Sequence, residues 1–239
     1  MKNATKHLLI FDMDLTILSE NTDVVIYKLF KNQETGNKIK AKESSMYHGD
    51  YMQEVYFAMK EEGITLEDIK NVIINMQLNQ GFSEIFDFIK TNKEKFDCIL
   101  VSGSNTIYVE WILETFQLKD IFKKYYTNPA FPCDEKLILS RNYQSHACKI
   151  CDGSMCKKNI VEEYLKEAVT EYERKFYMGD GLNDFCPGTF LLSQDTLFPR
   201  INFPLWDKIF NKNKKDELKC KIEPWETGKE ILNILKLYI

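Results

Sequence analysis

The chain has 239 residues, 44% of them hydrophobic and 28% charged, with a formal net charge of -4. That length accommodates one well-buried core plus a smaller appended unit, and the composition excludes a disordered or low-complexity chain. An acidic balance without a lysine cluster predicts no nucleic-acid partner, and no apolar run is long enough to span a membrane.

The first element is Leu8-Leu9-Ile10-Phe11, a short apolar run of the kind a fully buried parallel strand needs. It is too short for a signal-peptide core and ends in carboxylates. The seven cysteines are an odd number, which points to thiols in a reducing cytoplasmic setting. Next, Tyr47 to Lys60 carries apolar residues at Tyr51, Met52, Val55, Tyr56 and Met59, a helical period. Thr65-Leu66-Glu67-Asp68 reads as a capping-box start before Ile69, Val72 and Ile73.

A second buried strand is predicted over Phe96 to Val101 and a third over Lys175 to Met178. Helices are predicted over Asn105 to Phe116, Lys157 to Leu165 and Gly228 to Leu237. Alternating strands and helices predict an α/β protein with a Rossmann-like parallel sheet. The predicted core comprises residues 1–16 and 81–239, with a cysteine-rich insertion near 130–156 and a helical cap over 17–80.

Each of the three strands is predicted to stop at a polar turn, and in open α/β sheets ligands collect beyond the carboxyl ends of strands. The first turn, Asp12-Met13-Asp14, holds two carboxylates two residues apart; crowding them is costly unless a cation or a shared proton offsets the repulsion. The last, Gly179-Asp180-Gly181-Leu182-Asn183-Asp184, combines turn-forming glycines with hard oxygen ligands suited to Mg²⁺. Ser102-Gly103-Ser104-Asn105 reads either as a phosphate cradle or as a helix N-cap by Ser104 or Asn105. A fixed cation at a helix start is offered by Lys157, with Lys158 as its competitor.

In this order, Asp12-x-Asp14-x-Thr16, Ser102, Lys157 and Gly179-Asp180-Gly181-x-Asn183-Asp184 resemble the four motifs of the haloacid dehalogenase superfamily. Further segments are similar to the phosphoethanolamine/phosphocholine phosphatase family: Glu20-Asn21-Thr22-Asp23, Thr127-Asn128-Pro129, His146-x-Cys148-x-x-Cys151, Met155-Cys156-Lys157 and Phe185-Cys186-Pro187. Phe198-Pro199-Arg200 is similar too, and Phe86 to Ile89 with Lys95 to Ile99 resembles its pyridoxal-phosphate phosphatase branch.

The resemblance implies a phosphatase for a small phosphomonoester such as pyridoxal phosphate, phosphoethanolamine or phosphocholine. Asp12 would be the nucleophile that forms a phosphoaspartate, and Asp14 the acid and base. Mg²⁺ would be held by Asp12, the Asp14 carbonyl and Asp180, oriented by Asn183 and Asp184. Ser102 and Lys157 would bind the phosphate, Lys157 being favoured over Lys158 because the family lysine follows the Met-Cys pair. Asp23 would face substrate, whereas Gly103 stands where relatives have a second substrate-facing aspartate, so a cationic head group loses one partner. The alternatives are a phosphoserine-like phosphatase, or a non-catalytic phosphate- or metal-binding relative.

Cys148, Cys151 and Cys156, with His146 and Cys133 nearby, form a candidate structural Zn²⁺ set; the alternative is reduced buried or redox-active thiols. Cys186 is expected to pack, and His7 and His48 to have surface or structural roles.

Overall fold

The computed structural model describes residues 6–134, 136–140, 148, 150–151 and 155–239. Six strands form one parallel sheet in the order β3-β2-β1-β6-β7-β8: β1 (Lys6–Phe11), β2 (Phe96–Asn105), β3 (Phe122–Asn128), β6 (Tyr172–Gly179), β7 (Thr196–Pro199) and β8 (Lys221–Ile222). An antiparallel hairpin of β4 (Ala130–Cys133) and β5 (Lys136–Leu139) stands apart from it.

The sheet is buried on both faces because side chains alternate along each central strand. In β1, Leu9 and Phe11 join one hydrophobic cluster while Leu8 and Ile10 join another on the opposite face. The second cluster is closed by α7 (Lys157–Glu167) and α9 (Pro204–Phe210), through Val161, Tyr164, Leu205 and Ile209. The first is closed by α5 (Phe82–Thr91), α6 (Thr106–Thr115) and α10 (Gly228–Leu235). Gly81 (φ +87) begins α5 where Gly228 begins α10, and a Cβ on Gly81 would meet Gly228 Cα at 2.9 Å. Only glycine allows that approach.

Between β1 and α5 lie α1 (Thr22–Val25), α2 (Gln33–Lys40), α3 (His48–Glu61) and α4 (Leu66–Ile74). The predicted caps form: Thr65 and Asp68 make the reciprocal box of α4, and Asn105 accepts the Tyr108 N–H at 3.1 Å to start α6. Such caps each contribute about 1 kcal/mol. Leu18 and Leu78 pair as an isolated antiparallel bridge, so the segments that leave and re-enter the core run side by side. Gln53 of α3 grips the hairpin, donating to the Leu137 carbonyl at 3.0 Å and accepting from the Leu139 N–H at 2.8 Å. Among the described residues no helix is long and apolar enough to cross a membrane.

One local expectation is overturned. Ser102 to Asn105 does not form a turn but continues β2 to its end. Asn128 of β3 holds it extended, donating to the carbonyls of Gly103 at 2.6 Å and Ser104 at 2.9 Å.

Candidate active site

Asp12 leaves β1 in an extended conformation and buried, and its N–H donates to the Met178 carbonyl at 3.0 Å. Its Oδ1 accepts from Lys157 Nζ at 2.6 Å, and the same ammonium reaches Asp184 Oδ1 at 2.8 Å. Lys157 is 1% exposed. Lys158 pairs instead with Glu162 at the surface, so of the two lysines it is Lys157 that reaches Asp12 and Asp184. Burial disfavours the Lys157 charge, but Asp12 and Asp184 override it and hold the ammonium above its ordinary pKa.

Asp180 sits at the end of β6, and one oxygen each of Asp12, Asp180 and Asp184 lie within 4.8 Å of one another. Burial, with the neighbouring Asp12 and Asp184, pushes Asp180 up to about 9. Burial likewise pushes Asp12 up to about 6, with Lys157 opposing and Asp184 adding to the rise. With all three carboxylates ionised, one ammonium would leave two negative charges, a surplus that suits a divalent cation held by hard oxygens. The residues present therefore fit such an ion.

Asp184 is the anchor of this arrangement. Its Oδ1 also accepts from the Tyr177 hydroxyl at 2.6 Å, and its Oδ2 accepts from the N–H groups of Asp180 at 3.2 Å and Gly181 at 3.0 Å. Four donors use the lone-pair capacity of one carboxylate. A Cβ on Gly179 would lie 2.5 Å from Asp184 Cγ, so the first glycine of the acidic loop is what lets that carboxylate fold back.

Asp14 lies outside the cluster of three carboxylates. It accepts from the Thr22 N–H at 2.8 Å and the Thr22 hydroxyl at 3.1 Å, and that hydroxyl touches Ser104 Oγ at 3.1 Å. Burial first, and Asp23 next, push Asp14 up to about 8. After it the backbone reverses at Leu15 (φ 57), a conformation unfavourable for leucine. Asn79 donates to the carbonyls of Leu15, Thr16 and Leu18, and Arg200 donates to the Leu15 carbonyl and to Asn79 Oδ1, which holds the reversal in place.

Above these groups is a cavity of about 550 Å³. Asp12, Asp14, Lys157, Asp180, Gly103 and Asn183 reach its wall. Ser102 does not: it is fully buried, its hydroxyl accepting from the Ser104 N–H at 3.1 Å. His48, expected to be peripheral, is in the wall with Asp23, its Nε2 3.0 Å from Asp23 Oδ2. That bond raises the imidazole pKa. Lys208 of α9 was not anticipated as a wall residue and is one. Cys186 is not simply a packing residue, since its Sγ lies 3.4 Å from that of Cys148 and 3.8 Å from that of Cys156. Cys133 is exposed in β4 and outside this group, and His146 lies outside the described residues. His7 is structural, packed edge-on against Phe176 and Tyr238.

The family model described as Putative Phosphatase matches residues 7–239 of the chain. The chain is 31% identical to the human protein named Pyridoxal phosphate phosphatase PHOSPHO2, over 98% of its own length and 99% of that protein's. It is 34% identical to the Gallus gallus protein named Phosphoethanolamine/phosphocholine phosphatase, over 97% of this chain and 88% of that one. A substrate-bound phosphoserine phosphatase structure shares the fold, with a TM-score of 0.63 at 18% identity, covering 96% of this chain and 98% of that one. The match to the family model spans all of the sheet but Lys6 and every carboxylate and lysine of the cluster, and the chain belongs to this Putative Phosphatase family.

Proposed function

We propose that the chain hydrolyses pyridoxal phosphate, or a small phosphomonoester of similar size, through a phosphoaspartate at Asp12. The observation that carries this reading is the buried Lys157 ammonium shared by Asp12 and Asp184 at the floor of the cavity, with Asp14 held separately by Thr22. A binding module would have no need of the second aspartate.

In the proposed reaction an Asp12 oxygen bonds to phosphorus as the bond to the leaving oxygen breaks. Asp14, whose raised pKa favours the acid form, gives that oxygen its proton. Asp14 then takes a proton from the water that attacks the phosphoaspartate, releasing phosphate and restoring Asp12. Lys157 stabilises the charge on the non-bridging oxygens, and Gly103 and Asn183 border the space where phosphate sits. Asp12, Asp180 and the Asp14 backbone carbonyl would hold Mg²⁺, which supplies charge neutralisation between nucleophile and phosphate. Asp184, with its four donors, positions Lys157 and the acidic loop. Residues 17–80 act as the cap that closes over the cavity and excludes water.

Pyridoxal phosphate is favoured over choline or ethanolamine esters because Gly103 brings no carboxylate and Asp23 is already paired with His48. The test is a phosphate-release screen over pyridoxal phosphate, phosphocholine, phosphoethanolamine and phosphoserine, with Mg²⁺ and with EDTA. Preferential turnover of pyridoxal phosphate, stopped by EDTA and restored by Mg²⁺, is expected. Turnover of none of the four, or a preference for phosphocholine, contradicts the proposal.

A further inference from the structure

Seven cysteines are distributed very unevenly in this fold. Cys98 and Cys220 are buried within the two hydrophobic clusters, where a thiol packs as a small apolar side chain, and Cys133 is exposed. The remaining four converge. One sulfur each from Cys148, Cys151, Cys156 and Cys186 lies within 4.8 Å of all the others. Cys156 and Cys186 are buried, and Cys148 and Cys151 are half-buried.

The spacing is that of ligands and not of a cross-link. The Cys186 sulfur is 3.4 Å from Cys148 and 3.8 Å from Cys156, far beyond the ~2.05 Å of an S–S bond. A tetrahedral Zn²⁺ with Zn–S distances of about 2.3 Å places its sulfurs about 3.8 Å apart. The Ile150 N–H also donates to Cys148 Sγ at 3.4 Å, the kind of contact that stabilises a thiolate. The set combines a Cys-x2-Cys pair with two ligands from separate helix starts, so it could not be completed from the local spacing alone.

We infer that Cys148, Cys151, Cys156 and Cys186 bind one structural Zn²⁺. Four thiolates close the coordination sphere and leave no open position, so this ion takes no part in chemistry. It is also chemically distinct from the all-oxygen site at Asp12 and Asp180, because soft sulfur selects zinc and hard carboxylates select magnesium. Its purpose follows from what the ligands adjoin. Cys156 immediately precedes Lys157, Cys186 follows Asp184 by two residues, and Ile150, Cys151 and Met155 face the cavity. The ion ties the start of α7 to the acidic loop and fixes Ile150 and Cys151 in the wall of the cavity. Zinc binding itself does not depend on the identity of the phosphate ester.

The test uses the full-length protein purified under reducing conditions from zinc-supplemented cells. Elemental analysis should find about one zinc per chain after desalting into magnesium-free, chelator-free buffer. Replacement by Co²⁺ should give thiolate-to-cobalt charge-transfer bands and the intense visible bands of a tetrahedral site. The Cys148→Ser/Cys151→Ser double variant, altering the half-buried pair, should lose zinc at least about tenfold, whereas Cys133→Ser should keep it. Should the double variant not fold, stoichiometric release of zinc on titrating the thiols of the unaltered protein with a mercurial supplies the same information. No zinc in the unaltered protein, full zinc retention in a folded double variant, or disulfides among these four cysteines in anaerobically purified protein would each overturn the inference.

Discussion

His48 Nε2 lies 3.0 Å from Asp23 Oδ2 in the cavity wall, so a carboxylate available to a substrate ammonium is already engaged by an imidazole. Gly103 faces the same cavity with space beside it: among the described residues, a Cβ there would meet only Asn183 Nδ2, at 3.9 Å. The Gly103→Asp substitution should therefore be accommodated without rearrangement. It adds a negative charge to the cavity wall, and should shift the ratio of kcat/KM for phosphocholine over pyridoxal phosphate upward about tenfold, a change of about 1.4 kcal/mol. Steady-state kinetics on both substrates checks this, and an unchanged ratio removes position 103 from specificity.

Lys157 carries a second prediction. Lys157→Met keeps the length of the side chain but leaves Asp12 and Asp184 buried without their ammonium. The kcat should fall by about 10²–10³, as for loss of a preorganised charge at developing phosphate oxygens. Stability should fall by about 3 kcal/mol, because uncompensated buried charges remain. Lys158→Met, at the surface beside Glu162, should change neither quantity by much. Equal effects from the two substitutions would show that Lys157 has no special role.

Asp97 supports the sheet away from the cavity and gives a pH signature. It is 3% exposed and accepts from Lys6 at 2.8 Å, Lys123 at 2.5 Å and the Tyr172 hydroxyl at 2.9 Å. Burial alone would raise its pKa, but the bonds from Lys123, Lys6 and Tyr172 prevail and lower it. A depressed folded-state pKa means that Asp97 stabilises the fold above its unfolded value of about 3.9, and that this share is lost as pH falls through the folded value. Asp97→Asn should therefore cost about 1–2 kcal/mol in urea unfolding at pH 7, discounted for the partly exposed lysines, and almost nothing at a pH below both values. A difference independent of pH would contradict the charged role.

The legible parts of this protein are those in which neighbouring residues carry the whole signal. Strands β1, β2 and β6 carry the apolar stretches Leu8 to Phe11, Cys98 to Val101 and Phe176 to Met178, which are fully buried, and the Thr65/Asp68 box is complete within four residues. Strand β3 escaped because it lies at the sheet edge and spells Phe-Lys-Lys-Tyr-Tyr-Thr-Asn, with lysines exposed. Strand β8 has two residues, too few for any periodicity. Ser102 to Asn105 looked like a turn because its composition is polar, while the extension depends on Asn128 more than twenty residues later.

The same distinction divides the cavity. Asp12, Asp14, Asp180 and Asp184 fall in two short motifs, and the convergence of Asp12, Asp180 and Asp184 follows from parallel strands sharing one carboxyl edge. His48 joins Asp23 from another helix, and Cys186 joins Cys148 across 38 positions; no local pattern announces either contact. The engagement of Asp184 by four donors is likewise a property of packing, for which Gly179 is the one visible trace.

The most direct measurement is to capture the phosphorylated enzyme. During turnover of pyridoxal phosphate with Mg²⁺, an acid quench followed by borohydride reduction converts an aspartyl phosphate to homoserine, which peptide mass spectrometry can locate. The account predicts homoserine at position 12, and neither homoserine nor turnover in Asp12→Asn. Reduction at a different carboxylate, or an Asp12→Asn protein that still releases phosphate at the unaltered rate, would contradict it.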